Sequence, residues 1–280
     1  MTPYSGFVFN PEYRIALFLL MTTFPRFPEA ASRTAVSLGI VTLFSVAPLV
    51  SAHIALLADI AVVIAIVVSL FRHWAMTAEL GAFAAGSLTF ALFGLPSQVC
   101  FAFGLAAYAA VWRLRHGKDR FPDWFTAGTF TREVTLTAAF AVVVSGVVLS
   151  IWFRWVHPDI DDIIQSFVPD WPLAALIIGG LLFSMFNAAL EELAYRGIIM
   201  SALEAVFGPG AVSLATQAIA FGLLHIHGFP RGGSGIMLAF LFGVLMGWVR
   251  RRSGGLLAPW AAHVCADVVI VGLVVMFART

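Results

Sequence analysis

Seven ionisable side chains stand inside the apolar C-terminal half of this sequence: Glu191, Glu192, Arg196, His225, His227, His263 and Asp267. Carboxylates and imidazoles are the groups that move protons to and from water, and two histidines with a carboxylate can also hold zinc. A charge at the centre of a membrane helix costs about 2.5–3.5 kcal/mol, so such residues face a bundle interior and mark function. Residues four apart share a helix face, which aligns Glu191 with Tyr195, Glu192 with Arg196, Phe221 with His225 and His263 with Asp267. Glu191 and Glu192 are about 100° apart and are not expected to point at one spot, so one is expected to be chemical and the other structural. Glu192 reads as the ion-pair partner that lets Arg196 be buried. His227, about 200° round from His225, reads as a helix-end histidine near Gly228 and Pro230. In the N-terminal half only Asp59 is comparable, and it reads as a hydrogen-bonded interior acid.

The elements that must carry these residues are membrane helices. With 61% hydrophobic and 11% charged side chains in 280 residues, and a mean hydropathy of +0.96, the chain is not a soluble globular domain, where about a quarter of residues are charged. A formal net charge of +1 offers no basic surface for nucleic acid. Cys100 and Cys265 lie far apart in apolar stretches, which argues against a disulfide framework or thiolate-bound zinc. A bilayer core about 30 Å thick needs roughly twenty apolar helical residues. The uncharged runs then give an all-α, polytopic integral membrane helical bundle of eight or nine transmembrane helices. They fall at about 35–50, 54–71, 80–94, 98–112, 134–154, 173–204, 211–227, 235–249 and 256–277. The longest polar interruption, Arg113 to Arg132, divides N-terminal helices (1–130) from a C-terminal part (131–280) that holds the buried charges.

Lys and Arg in short loops mark the cytoplasmic side. Arg14, Arg26 and Arg33 precede the first span, Arg72 follows the second, Arg113, Arg115, Lys118 and Arg120 follow the fourth, and Arg250 to Arg252 follow the eighth. In a nine-span count all four sets share one side, which puts the N-terminus in the cytoplasm and the protein in the cell membrane. The acidic connection with Asp159, Asp161, Asp162 and Asp170 falls on the other side. The apolar run Ile15 to Met21 is short and follows Glu12, so it is expected at the cytoplasmic interface rather than as a signal peptide. Glu191 lies seventeen residues before Gly208 and His225 seventeen after it. Equal distance from a hairpin tip means equal depth, about 20–25 Å, while His263 and Asp267 come about 12–18 Å along the last helix. Three helices can thus present Glu, His, His and Asp at a common level.

Read in order, Glu191-Glu192-Leu193-Ala194-Tyr195-Arg196, Phe221-Gly222-Leu223-Leu224-His225 and His263-Val264-Cys265-Ala266-Asp267 resemble the EExxxR, FxxxH and HxxxN/D motifs of the CPBP family. These are the CAAX endopeptidase and bacteriocin-processing intramembrane proteases. The resemblance spans roughly residues 170–270 and implies hydrolysis of peptide bonds by water inside the membrane. It implies Glu191 as general base, His225 as its partner in activating water, and His263 and Asp267 as groups that stabilise the oxyanion or orient the site. It also implies the Glu192–Arg196 pair. Where the family has Asn, a neutral amide that donates to an oxyanion, ionised Asp267 can only accept. Asp267 then orients His263, acts while protonated, or ligates a metal.

No cofactor is the favoured expectation, because a carboxylate placed to activate water requires no ion. Zinc or another divalent metal is the alternative, with His225, His263 and either Asp267 or Glu191 as ligands. The expected partners are the lipid bilayer and a membrane-embedded or lipidated peptide, approaching from the cytoplasmic side. The rival function is a membrane transporter or proton-coupled carrier that uses the buried carboxylates and Asp59 as a proton relay.

Overall fold

The computed structural model describes residues 29–158, 161 and 171–278. Within them the chain is helical, with no strand. The helices are α1 (Glu29–Val46), α2 (Ala52–Phe71), α3 (Ala75–Ala91), α4 (Ser97–His116), α5 (Arg132–Val156), α6 (Leu173–Glu191), α7 (Met200–Phe207), α8 (Ala211–Leu224), α9 (Gly232–Ser253) and α10 (Leu257–Ala278). A π-helical stretch, Glu192–Ile199, joins α6 to α7, so that 35 residues, Leu173–Phe207, run as one rod.

Nine rods therefore stand among the described residues, at the nine positions the hydropathy pattern indicates. Seven are long and apolar enough to cross a membrane. The other two, α3 and α8, have 17 and 14 residues. Each is cut short by a turn: Gly94 at φ +68 and Pro96 follow α3, while α8 ends at His225 and the Gly228–Pro230 loop. The protein is an integral membrane protein. Its outward faces carry Leu57, Ile64, Phe140, Val143, Ile177 and Leu182, each about half exposed or more, as a lipid-facing surface requires because apolar side chains gain nothing there from burial. Asp159, Asp162, Asp170, Arg14, Arg26 and the Ile15 to Met21 run lie outside the described residues.

The bundle has two distinguishable ends. At one, helix termini carry cations that complement the carbonyl ends of their helices: Arg113, Arg115 and His116 close α4, and Arg250, Arg251 and Arg252 close α9. Contacts tie this end together. Glu204 accepts from Arg250 at 3.0 Å and from Arg251 at 2.7 Å, Arg252 meets Glu133 at 3.2 Å, and Arg33 donates to the Ala205 carbonyl. Glu79, wholly buried, holds His116 at 2.9 Å and Arg115 at 3.6 Å. The other end carries the α1–α2 turn, the α3–α4 turn and the α8–α9 loop.

The N-terminal helices are part of the same core. Ile40 and Phe44 of α1, Phe83 of α3 and Phe101 of α4 pack with Tyr195, Ile199 and Phe221 in one apolar cluster. Helices α5, α9 and α10 form a second, smaller one around Ala141, Met246 and Ala262.

Candidate active site

The two glutamates stand where α6 passes into its π-helical stretch. A π turn spaces its hydrogen bonds five residues apart and so swings successive side chains through a smaller angle than an α turn. Both glutamates reach one imidazole. His263 Nδ1 lies 2.8 Å from Glu192 Oε1, while its Nε2 lies 3.6 Å from Glu191 Oε2. The α-helical expectation that Glu191 and Glu192 cannot point at one spot is therefore corrected. The ring offers nitrogens on two sides, and adjacent residues approach one each.

Glu192 also meets Arg196 Nη1 at 3.0 Å, and both are fully buried. A carboxylate oxygen accepts, so in the short contact His263 Nδ1–H donates to Glu192 Oε1. The Arg196 guanidinium makes no well-directed hydrogen bond to a described residue. It is held by this ion pair and by the face of Phe221, 4.4 Å from its Cζ, where a cation gains from the ring quadrupole.

Asp267, one turn beyond His263 on α10, brings Oδ1 to 3.6 Å from His263 Nε2. Its Oδ2 accepts from Asn187 Nδ2 at 3.0 Å, and Asn187 Oδ1 accepts from Gln98 Nε2 at 2.9 Å. Gln98 belongs to α4, so a hydrogen-bonded chain runs from the N-terminal helices to the site. Sequence reasoning missed both amides. The available signal is that Asn187 lies one turn before Glu191, on the same face.

His225 caps α8 and is half-buried, with Nδ1 3.0 Å from the Phe221 carbonyl. That contact fixes the ring and leaves Nε2 for other partners. Phe221 is the hub of the aromatic packing: its ring centroid lies 4.9 Å from that of His225, 5.9 Å from His263 and 5.1 Å from Tyr195. Phe242 of α9 closes the far side of His263 at 5.1 Å.

Two cavities meet here. One, of about 120 Å³, lies between α5, α9 and α10 and is lined by Val148, Leu238, Phe242 and Ile270 besides Glu191, His225, His263 and Asp267. The second, of about 590 Å³, lies between α1, α3, α4 and the α8–α9 loop and also reaches Glu191 and His225. Glu191 and His225 thus sit at the junction, His263 and Asp267 belong to the narrow side, and Glu192 and Arg196 line neither cavity. His227 is exposed and lines only the larger one. Asp59 is buried in the N-terminal helices, accepts from Thr89 at 2.8 Å and lines neither.

Among the described residues, no three His, Cys, Asp or Glu side chains are grouped as a metal would require. His263 Nδ1 is committed to Glu192, which leaves Nε2 between Glu191 Oε2 and Asp267 Oδ1, 3.6 Å from each.

What the arrangement offers is a carboxylate and an imidazole facing shared space, backed by a histidine held between acids. Residues 171–269 match the family described as Type II CAAX prenyl endopeptidase Rce1-like. Comparison with curated proteins gave no match, and comparison with solved structures gave none either.

Proposed function

We propose that this chain, whose residues 171–269 match the Type II CAAX prenyl endopeptidase Rce1-like family, is an intramembrane endopeptidase whose water is activated by Glu191 and His225 without a metal. The carrying observation is that these two side chains alone among the polar groups of the site line both cavities. A water between them gives its proton to Glu191 as its oxygen attacks the scissile carbonyl, and the His225 imidazole holds the other side of that water. The tetrahedral oxyanion is then met by His263 through Nε2, its Nδ1 being held by Glu192, as preorganised donors stabilise charge that develops only in the transition state. Collapse breaks the C–N bond, and Glu191 returns the proton to the leaving amine. Asp267, aimed by Asn187, orients His263, while Glu192 and Arg196 hold that histidine from behind.

The wider cavity has room for an extended peptide. The narrow one, walled by Val148, Leu238 and Phe242, suits an apolar group beside the scissile bond, consistent with a membrane-embedded or lipidated substrate. The transporter reading draws no support from Asp59, which accepts from Thr89 and does not line either cavity.

The test compares new protein termini in membranes carrying the wild-type chain or Glu191→Gln at matched expression. Termini confined to the wild type, and still formed by the purified protein after treatment with a chelator, are expected. Identical profiles in cells whose membrane proteins are fully sampled would overturn the peptidase mechanism, and loss of cleavage on chelation, restored by a divalent metal, would overturn its metal independence.

A further inference from the structure

Among the described residues, the wide cavity is lined from one end of the bundle. Its rim is made by Pro48 and Val50 of the α1–α2 turn, Leu95 of the α3–α4 turn, and His227 and Phe229 of the α8–α9 loop. Toward the opposite end a separate cavity of about 480 Å³, between Phe125–Ala127 and Trp260, reaches Glu192 but not Glu191, and the path to Glu191 itself is filled. Tyr195, Arg196, Ile198, Ile199, Met200 and Leu203 are all fully buried immediately beyond Glu191. Below them, residues 124–129 form a strap across the helix ends. Trp124 packs so closely on Gly197 that a Cβ there would lie 2.6 Å from its ring, and its Nε1 donates to the Tyr108 hydroxyl at 3.1 Å. The strap is fastened to the α9–α10 turn by Thr129 N–H to Ser253 at 2.8 Å, Leu256 N–H to Thr126 at 2.9 Å and Thr126 Oγ1 to Gly254 at 2.8 Å.

Cations distinguish the two ends. Arg72, Arg113, Arg115, Lys118, Arg120, Arg250, Arg251 and Arg252 are at the strap end; at the rim end the described residues include Arg154 and Arg231. Short connections rich in Lys and Arg stay in the cytoplasm. The expectation that substrate approaches from the cytoplasmic side joined that same charge bias to a depth estimate, and the cavity points the other way.

We infer that the site is reached from the non-cytoplasmic face, and that its substrates are membrane-anchored proteins or peptides whose scissile bond lies at the outer level of the bilayer. This rests on the peptidase reading for its chemistry, but the direction of opening stands on the cavity and the charge distribution alone. A lipidated peptide confined to the cytoplasmic leaflet meets the strap and the Tyr195–Leu203 plug instead of Glu191. A segment anchored in the outer leaflet meets the rim of Val50, Leu95 and Phe229, from which an extended chain runs to the Glu191–His225 junction.

The experiment uses the full chain with Cys100→Ala and Cys265→Ala, into which Leu95→Cys, Val50→Cys or Lys118→Cys is introduced singly. A membrane-impermeant maleimide is applied to intact spheroplasts and to inverted vesicles. Leu95→Cys and Val50→Cys are expected to label in spheroplasts and Lys118→Cys only in inverted vesicles, at least tenfold over the opposite preparation. The reverse pattern would overturn the inference whether or not cleavage is seen, and two reporting sites at the rim cover the failure of either variant to fold. Glu191-dependent termini supply the second arm. Cleavage sites on the outer side of their host proteins support the substrate class; sites on the cytoplasmic side overturn it while leaving the peptidase reading intact. If Glu191-dependent termini are absent, the peptidase reading falls and takes the substrate class with it, while labelling still decides which way the cavity opens.

Discussion

On the two sides of the π turn, the same kinds of residue are put to opposite uses. On the side of Glu192 and Arg196, charge is paired and kept out of the two cavities that meet at Glu191, with partners at 3.0 and 2.8 Å. On the side of Glu191 and His225, a carboxyl group and an imidazole are left next to open space, and His263 stands 3.6 Å from Glu191. Breaking a buried pair is costly because it strands a charge, although the pair itself adds little net stability. A carboxylate kept beside a cavity instead remains free to take a proton. In the proposed mechanism one glutamate holds His263 and the other reacts, a difference that adjacency in sequence hides.

The largest effect expected from this contrast is on rate. Glu191→Gln keeps volume and hydrogen bonding but removes the base, so cleavage by purified protein is expected to fall by about 10²–10⁴-fold, the usual contribution of a general base. Thermal unfolding should barely move. The mirror experiment, Arg196→Met, is expected to act on stability by about 3–5 kcal/mol, since it leaves Glu192 buried without its cation. Chemical unfolding in detergent micelles reads that loss. Comparable destabilisation by Glu191→Gln would erase the distinction between the two sides.

A smaller effect sharpens the picture of how Asp267 is aimed. Asn187→Leu removes the amide that donates to Asp267 at 3.0 Å, and kcat is expected to drop about tenfold with KM nearly unchanged, the scale of one hydrogen bond to a charged group. Gln98→Leu, one link further away, should cost a few-fold. The double variant should be no worse than Asn187→Leu, because linked groups are not additive. Additive losses would show that Gln98 acts elsewhere.

Much of this was legible in the sequence because membranes simplify the reading: apolar runs fix the rods, and ionisable residues inside them stand out. The nine rods, the pairing partner of Arg196 and the helices that bring Glu191, His225 and His263 together all follow from spacing. The orientation of the two glutamates does not, since nothing local in Glu191–Arg196 announces that the turn widens to π geometry. Asn187 and Gln98 escape because neutral amides carry too little transfer cost to stand out among apolar neighbours. The direction of the cavity is set by long-range packing of residues 124–129 against Gly197 and Ser253–Leu257, which no periodicity encodes.

Asp59 provides the smallest expected effect and a control on the whole comparison. It is a buried acid like Glu191, in a span of similar apolarity, yet its Oδ2 is occupied by Thr89 at 2.8 Å and it borders neither cavity. If burial of a carboxylate were enough to mark chemistry, Asp59→Asn would impair cleavage as Glu191→Gln does. If proximity to the shared cavity is what matters, Asp59→Asn should leave cleavage within about twofold and change stability by about 1 kcal/mol or less, because the asparagine carbonyl still accepts from Thr89. Rates measured on both variants in one preparation separate these cases. A loss of tenfold or more at Asp59 would move the functional boundary into the N-terminal helices and revive a role for proton movement there.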